Sequence, residues 1–511
     1  MMNPAETWNW IRKRCKKEWK LAFLSTFLTG MLIHMPIMLR DIPNHDGLAS
    51  MYFDQNMITS GRWFLTVACG VSSYYTLPWL IGLLSMLYLG IAGILLVEFL
   101  EVRQGWAVAV IGGLLAAFPS LASTFAYVFT MDGYMLAVLL AVLAVLLTKK
   151  ARLGFLPGAL CLACSLGIYQ SYLPFAVLLC IYGVYMIGAS DGTVGEKVRK
   201  CLNYVYMGGL GLAFYYGILQ ILLRVQGKEL ASYQGISGMG SAPGKGLLQT
   251  VLYMYRDFLA FTLKGNIFMN NLFAWGAMAL LGVCALAVLL HLCGQKGWWK
   301  SLWFFAVAAV TAVGLPLAMN LILVISPDVT YHLLMRYQWV LLPICMVAAV
   351  SRHSQRLPWA AWLGFLCGVV LTFNYGVMDQ IAYSNLEKKY EKTYAYCIRL
   401  LDRIEQTEGY YQGIPIAMIG VVGDRSYPAT DITGDVTAGM IGLGGDSLLY
   451  TGVNYQAFIQ NYLGATLNIL PPEAMEEMYY SEAYREMESF PGADSIRVMD
   501  GVMYIKTENR E

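Results

Sequence analysis

The sequence predicts a mainly α-helical membrane protein, a polytopic bundle of about 11 transmembrane helices followed by a small C-terminal α/β domain. Two bulk observations indicate this class: 58% of the 511 residues are hydrophobic, and only 13% are charged. A soluble protein of this length carries charge on about 25% of its residues. The third observation is that the apolar residues gather in runs long enough to cross a bilayer.

Eleven apolar runs approach or reach the length of a transmembrane helix, which needs about 17–25 residues. They cover residues 21–39, 77–99, 106–124, 133–148, 154–169, 172–188, 202–223, 272–292, 302–325, 333–350 and 357–378. Residues 1–20 precede the first run and are basic with several tryptophans, which is typical of a helix in the membrane interface. The first run is too long for the apolar part of a signal peptide, so it predicts a retained span.

Lysine and arginine cluster in alternate short loops, as in Lys149-Lys150-Ala151-Arg152. Because such loops stay on the cytoplasmic side, the pattern predicts a cytoplasmic N-terminus. With 11 spans, the long loops 40–76 and 224–271 and the segment 379–511 are then expected outside the cytoplasm. Residues 21–378 would form the membrane domain between the interfacial helix and this C-terminal domain.

Charge is divided unevenly along the chain. The net charge is +2, yet residues 379–511 carry 20 acidic and 10 basic side chains, so the first 378 residues are net +12. Most of the basic excess lies in short loops between apolar runs. This distribution fits a chain that contacts membrane lipid and does not indicate nucleic acid as a partner.

The C-terminal segment shows the signals of a small mixed fold. Apolar residues at helical spacing predict a helix over about 380–407, and the apolar run 414–422 predicts a buried strand. Two alternating runs, Ser495–Met499 and Val502–Thr507, flank Asp500-Gly501. An Asp-Gly pair between alternating runs is a strong signal for a two-residue β-hairpin.

Three carboxylates near the predicted outer surface are candidates for acid–base chemistry. Asp41 and Asp46 directly follow the first span and flank a Pro-Asn-His turn, and Asp132 lies at the start of the fourth span. Charged residues beside a membrane are costly to place and are therefore functional candidates. The alternatives are a solvated loop acid for Asp46 and, for Asp132, an acid stabilised by the helix dipole.

Arginines on the same side are candidates for binding a phosphate. Arg336 lies inside the start of an apolar span, where a charge costs roughly 2.5–3.5 kcal/mol on insertion scales. Either a partner carboxylate or a bound phosphate would offset that cost. Arg40 and Arg62 are further candidates, although Arg62 could equally extend to lipid headgroups. The polar break Tyr169-Gln170-Ser171-Tyr172 is a candidate sugar contact, with an ordinary interfacial aromatic belt as the alternative.

Five segments together carry a resemblance to a known family. They are His45-Asp46-Gly47, Gly61-Arg62-Trp63, the stretch from Phe118-Pro119 to Asp132, Gly167–Pro174, and the long helix that leads into Ile416–Gly420. In their order and spacing over most of the chain, they resemble the bacterial Gtr-type glucosyltransferase II family, membrane glycosyltransferases of the GT-C fold. This chain has His45 where many relatives have a first Asp.

The resemblance implies an enzyme of the bacterial plasma membrane with its active site outside the cytoplasm. It would transfer a sugar, glucose by the family name, from a polyprenyl-phosphate donor to a cell-surface glycan, with inversion at the anomeric carbon. Asp46 is then the preferred base, before Asp41 and Asp132, and Arg336, with Arg62 or Arg40, would hold the donor phosphate. His45, Tyr169, Gln170 and Tyr172 would contact sugar or acceptor.

Cofactors and other functions receive less support. The 5 histidines form no metal-ligand pattern, no DxD motif lies in a soluble domain, and His45 weakens a two-carboxylate metal site, so a divalent metal is unsupported.

A transporter or flippase of lipid-linked glycans is the first alternative, but no internal repeat is detected. The second alternative is a non-catalytic glycan-assembly protein, in which Asp46 and Arg336 would be dispensable.

Overall fold

The computed structural model describes residues 3–190, 192–231, 246–297, 302–326, 329–419, 434, 436–437, 439–444, 448–449, 451–479 and 481–507. Residues 232–245 of the predicted loop 224–271, and the predicted strand beyond residue 419, lie outside these ranges.

Helices make up most of the described chain. They are α1 (Pro4–Arg14), α2 (Lys17–Leu39), α3 (Leu65–Cys69), α4 (Pro78–Leu100), α5 (Gly105–Ala117), α6 (Ser120–Phe125), α7 (Met131–Lys150), α8 (Phe155–Ile168), α9 (Leu173–Ala189), α10 (Val194–Gln226), α11 (Leu247–Lys264), α12 (Leu272–Lys296), α13 (Leu302–Met319), α14 (Ile322–Ile325), α15 (Leu341–Arg352), α16 (Pro358–Gln406), α17 (Gly452–Phe458), α18 (Pro472–Tyr479) and α19 (Glu482–Arg485).

The predicted membrane class is confirmed. Within the described residues, 7 helices are long and apolar enough to cross a membrane, and 4 shorter apolar helices occupy the remaining predicted runs. Two runs are more broken than predicted. The run 106–124 divides at Phe118-Pro119 between α5 and α6, because proline cannot donate the next helical hydrogen bond. The run 333–350 begins with short 3₁₀ turns before α15 starts.

The C-terminal residues form a small mixed sheet, as predicted. Its strands are β1 (Pro415–Ile419), β2 (Asn468–Ile469), β3 (Ile496–Met499) and β4 (Val502–Lys506). The order is β2-β1-β4-β3, in which β1 runs parallel to both neighbours and β3 pairs antiparallel with β4. Asp500 and Gly501 adopt φ values of 49° and 77°, the left-handed geometry that a tight hairpin turn requires, so the predicted hairpin is confirmed.

Helix α16 joins the two parts of the protein. The sequence predicts a last span and a separate helix, but the structure has one helix of 49 residues, about 73 Å long. Its first half packs into the main core, for example through Leu371 and Tyr375. Its second half packs through Leu400 and Ile404 into a second core that includes strand residues such as Ile505. The predicted boundary at residue 379 therefore falls inside a continuous helix.

Candidate active site

A cavity of about 430 Å³ lies where four segments of the bundle meet. The segments are the loop after α2, the turn before α7, the break between α8 and α9, and residues 322–326 with 329–335. Ile441, from the C-terminal part of the chain, completes the lining. Five of the residues selected from the sequence line this cavity: His45, Asp46, Arg62, Tyr169 and Gln170.

The acidic side of the cavity is a tight turn after the first span. The side chain of buried Asn44 accepts a hydrogen bond from the Gly47 amide at 2.7 Å. This bond closes the turn around His45 and Asp46. His45 Nε2 lies 3.6 Å from Asp46 Oδ1, and the Asp46 side chain is 57% exposed. The turn thus presents an accessible carboxylate beside an imidazole.

Burial controls the charge of His45. It lowers the pKa of the imidazole; Asp46 raises it again in part, and the nearby Lys389 lowers it further. Because the net direction is below the usual 6.5, His45 is neutral at pH 7. A neutral imidazole can accept a hydrogen bond from a sugar hydroxyl, and the Asp46 carboxylate beside it offers two further acceptor oxygens.

The basic side of the cavity is formed by Arg62. Its guanidinium donates a hydrogen bond to the Tyr134 hydroxyl at 3.2 Å and lies 4.8 Å from the centre of the Tyr169 ring. The rings of Tyr134 and Tyr169 are stacked at 4.6 Å. The aromatic pair therefore supports a cation on the cavity wall, where it can meet an anionic ligand.

Close packing fixes the backbone beside Arg62. It also brings the motif Gly61-Arg62-Trp63 against the motif that contains Gln170. Gly61 has φ +71°, and a Cβ there would lie 2.5 Å from Gln170 Nε2. Gln170 itself donates to the Ser60 carbonyl at 3.0 Å and to the Tyr215 hydroxyl at 2.9 Å. Any side chain at position 61 would therefore displace both Gln170 and the Tyr215 hydroxyl to which Gln170 donates.

Arg336 lies outside the cavity lining in the described structure. Its guanidinium forms two hydrogen bonds with the Asp257 carboxylate, at 2.7 and 2.8 Å, and lies 3.7 Å from the centre of the Tyr331 ring. The Arg336 side chain is only 8% exposed. The sequence left open whether the partner of Arg336 is a carboxylate or a phosphate, and in the structure it is the carboxylate of Asp257. This buried ion pair joins α11 to the segment before α15.

Breaking this pair is expected to destabilise the protein. Arg336→Gln leaves Asp257 as an uncompensated buried charge, which costs roughly 3–5 kcal/mol in comparable buried pairs. We expect a fall in the Tm of the purified protein in detergent, measured by tryptophan fluorescence, and a smaller fall for the double substitution Arg336→Met with Asp257→Leu. Equal Tm values for wild type and Arg336→Gln would show that the pair is not structural.

Two further sequence candidates have partners elsewhere in the described chain and do not line the cavity. Arg40 forms an ion pair with Glu387 of α16. Asp41 accepts a hydrogen bond from the Tyr462 hydroxyl at 3.1 Å. Burial raises the pKa of Asp41, and this hydrogen bond opposes the rise. Both residues contact the C-terminal part of the chain.

Asp132 and Tyr172 lie behind the cavity wall rather than on it, within the described residues. Asp132 is fully buried in the first turn of α7, where its carboxylate accepts the Gly133 amide at 2.8 Å. This placement agrees with the alternative of an acid stabilised by the helix dipole. Tyr172 is 2% exposed and packs edge-on against Tyr134 and Tyr169. It supports the stacked pair.

Several cavity residues were not selected from the sequence. Tyr127 lies within the stretch from Phe118 to Asp132 that carries the family resemblance, and Tyr134 closely follows it, so this motif could have indicated both. Gln55 and His332 also line the cavity, and no pattern in the sequence distinguishes them. Burial of His332, with the nearby Arg336 charge, lowers the pKa of its imidazole.

The C-terminal part of the chain packs against the turn that carries Asp46. The Asn454 side chain donates to the His45 carbonyl at 3.3 Å, and the Asn461 side chain donates to the Leu48 carbonyl at 2.9 Å. A Cβ on Gly442 would lie 2.9 Å from the Asn44 side-chain nitrogen. The turn that carries Asp46 is therefore packed between the membrane bundle and this small domain.

Comparison with known proteins places this cavity in an enzyme family. Among the described residues, no group of three or more His, Cys, Asp or Glu side chains is arranged to hold a metal ion. No curated protein and no solved structure matches the chain. The family model described as glucosyl transferase GtrII matches residues 35–348, which include all of the cavity except Ile441. The chain therefore belongs to the GtrII glucosyltransferase family, and the resemblance found in its motifs is confirmed.

Proposed function

We propose that this glucosyltransferase takes glucose from a polyprenyl-phosphate donor and transfers it, with inversion, to a cell-surface glycan. One observation carries the proposal: a single cavity contains an accessible carboxylate, Asp46, and a cation supported by aromatic rings, Arg62. Displacement of a sugar from a phosphate requires these two groups, a base for the nucleophile and a positive charge for the leaving group.

Asp46, Arg62 and His45 each have one role in the proposed reaction. The acceptor hydroxyl oxygen attacks the anomeric carbon of the donor, and its proton passes to the Asp46 carboxylate. The bond from the anomeric carbon to the phosphate oxygen breaks, and its electron pair stays on the phosphate, where Arg62 stabilises the charge. His45 orients the acceptor through a hydrogen bond. A single displacement of this kind inverts the anomeric configuration.

The lining of the cavity also suits a lipid-linked donor. One side is apolar and includes Ile322, Ile325, Val329 and Leu334. The first isoprene units of a polyprenyl chain would lie against this side, with the phosphate directed at Arg62. The direct test is the product: nuclear magnetic resonance of the glycan should show the anomeric configuration opposite to that of the donor. Retention of configuration would contradict the single displacement.

The orientation in the membrane is part of the proposal. The Lys and Arg clusters favour a cytoplasmic N-terminus, and the cavity and residues 379–511 would then lie outside the cytoplasm. A cysteine introduced at the exposed Val453 is expected to react with a membrane-impermeant maleimide in intact cells. The same change at exposed Arg12 serves as the opposite control. Protection of the Val453 position until the cells are lysed would reverse the assigned orientation.

We further propose that the small C-terminal domain covers the cavity and helps to select the acceptor. Ile441 lines the cavity, and the contacts of Asn454 and Asn461 hold the domain against the acidic turn. Ile441→Trp is expected to raise the KM for acceptor several-fold or change acceptor choice, with unchanged donor binding. Val453→Trp, on the exposed surface of the same domain, is the matched control. An unaltered acceptor profile in Ile441→Trp would favour a purely stabilising domain.

A further inference from the structure

A second cavity, of about 390 Å³, lies at the opposite end of the bundle from Asp46 and Arg62. Helix α7 connects the two: Tyr134 near its start lines the first cavity, and Thr148 near its end lines the second. At 1.5 Å per residue, the two positions are about 21 Å apart along the helix axis. The second cavity is therefore separate from the proposed active site and serves no step of the transfer reaction.

Basic side chains dominate this second cavity. Five of the described residues that line it are basic, and Glu101 is its one carboxylate among them. The basic residues are Lys149, Lys150, Arg152, Arg199 and Lys200. They come from two places, the end of α7 with the turn that follows it, and the second turn of α10.

Two carboxylates at this end, Glu101 and Glu98, are already matched by cations. Glu101 lies 2.8 Å from Lys149 and 3.3 Å from Arg352. Burial alone would raise the pKa of Glu101, but these cations hold it below its usual value, so the carboxylate stays ionised.

The neighbouring Glu98 also meets more than one cation, since Lys16, Arg103 and Lys150 all lie within 3.2 Å of it. The five basic side chains of the lining therefore outnumber Glu101, its one described carboxylate. An excess of positive charge in a concave site favours an anionic ligand.

The rest of the lining is part polar, with Thr148, Ser190 and Asn203, and part apolar. Gly183, Met186 and Ile187 of α9 form its inner wall. A Cβ on Gly183 would lie 2.7 Å from the Tyr204 hydroxyl, so glycine allows α9 and α10 to approach here. Beside the cavity, α8 exposes leucines such as Leu156 and Leu160. A ligand that fits both surfaces has a negative head and an apolar tail.

We propose that this cavity binds the phosphate group of an anionic membrane lipid, with Arg199, Lys200 and Arg152 around the phosphate and the acyl chains along the apolar surface. Basic pockets between helices at a membrane surface are suited to such headgroups. A free phosphate compound shares the charge but leaves the apolar surface uncovered, so we expect it to bind less tightly. The proposal is independent of the glucosyl-transfer mechanism.

The test measures lipid binding to the purified full-length protein by native mass spectrometry in detergent. Phosphatidylglycerol is expected to saturate one site at lower concentration than phosphatidylcholine, which carries no net charge, and than glycerol 3-phosphate, which has no acyl chains. The double substitution R199Q/K200Q should weaken phosphatidylglycerol binding roughly thirtyfold, because two basic contacts to an anionic headgroup are lost. R199K/K200R keeps both charges and should retain the affinity.

The matched control is R12Q/K13Q, which removes two exposed charges of α1 that do not line the cavity. Unchanged phosphatidylglycerol binding in R199Q/K200Q, or an equal loss in R12Q/K13Q, would overturn the proposal. Equal affinity for glycerol 3-phosphate and phosphatidylglycerol would overturn the lipid as the source of the phosphate. If R199Q/K200Q fails to fold, Ile187→Glu places a carboxylate on the cavity wall and should abolish binding; retained binding would contradict the site.

Discussion

Asp46→Asn is expected to reduce glucosyl transfer by roughly 10²–10⁴-fold, the usual contribution of a general base. The amide keeps the shape of the side chain but cannot accept the proton of the acceptor hydroxyl. Because the Asp46 side chain is 57% exposed and adds no packing to the core, the variant should fold and bind the donor normally. Initial rates with purified protein, at saturating donor and acceptor, measure the effect.

Asp54→Asn is the matched control for this experiment. Asp54 lies in the same loop, is exposed, and does not line the cavity in the described structure. Its substitution should leave the rate within a factor of a few of wild type. Near-full activity in Asp46→Asn would remove Asp46 as the base, and Asp41 and Asp132 would then be tested in the same way.

Arg62→Gln is expected to lower transfer by roughly 10²–10³-fold, comparable to the loss of one stabilising group at a developing anion. Arg62→Lys should recover part of that loss, because lysine keeps the charge but not the planar fork that holds two phosphate oxygens. The affinity for the donor should fall together with the rate, and displacement of a fluorescent polyprenyl phosphate measures this affinity. The stability of the protein should change little, in contrast to Arg336→Gln.

Arg40→Gln is the control for Arg62, because Arg40 is paired with Glu387 away from the cavity lining. A small effect there and a large effect at Arg62 would locate the phosphate. Unchanged donor affinity in Arg62→Gln would instead identify Arg62 as a structural partner of the Tyr134 and Tyr169 rings.

The membrane class and the cavity residues differ in how far sequence could predict them. Apolar runs and turn pairs are local, so the helices and the hairpin at Asp500-Gly501 could be predicted directly. Asp46 and Arg62 were also accessible, because a charged residue beside a span is unusual enough to be noticed. That both line one cavity could not be predicted, because the cavity joins segments far apart in the chain, as in the hydrogen bond from Gln170 to the Ser60 carbonyl.

The sequence leaves the partner of Arg336 open for a physical reason. An arginine inside an apolar span needs a counter-charge, and the sequence cannot say whether that charge is a ligand or a distant side chain. Asp257, 79 positions earlier in the chain, fills that need through tertiary contact. The continuity of α16 was missed for a related reason: Asp379 and Gln380 end the apolar run, but polar residues do not end a helix.

The most direct test of the central account is donor choice by the purified protein in lipid nanodiscs. Radiolabelled glucosyl-phosphoryl-polyprenol and the nucleotide sugar UDP-glucose are each offered with the glycan acceptor, to wild type and to Asp46→Asn. The account predicts label in the glycan from the lipid donor alone, and its loss in the variant. Transfer from UDP-glucose at a similar rate, or equal transfer by both proteins, would contradict it.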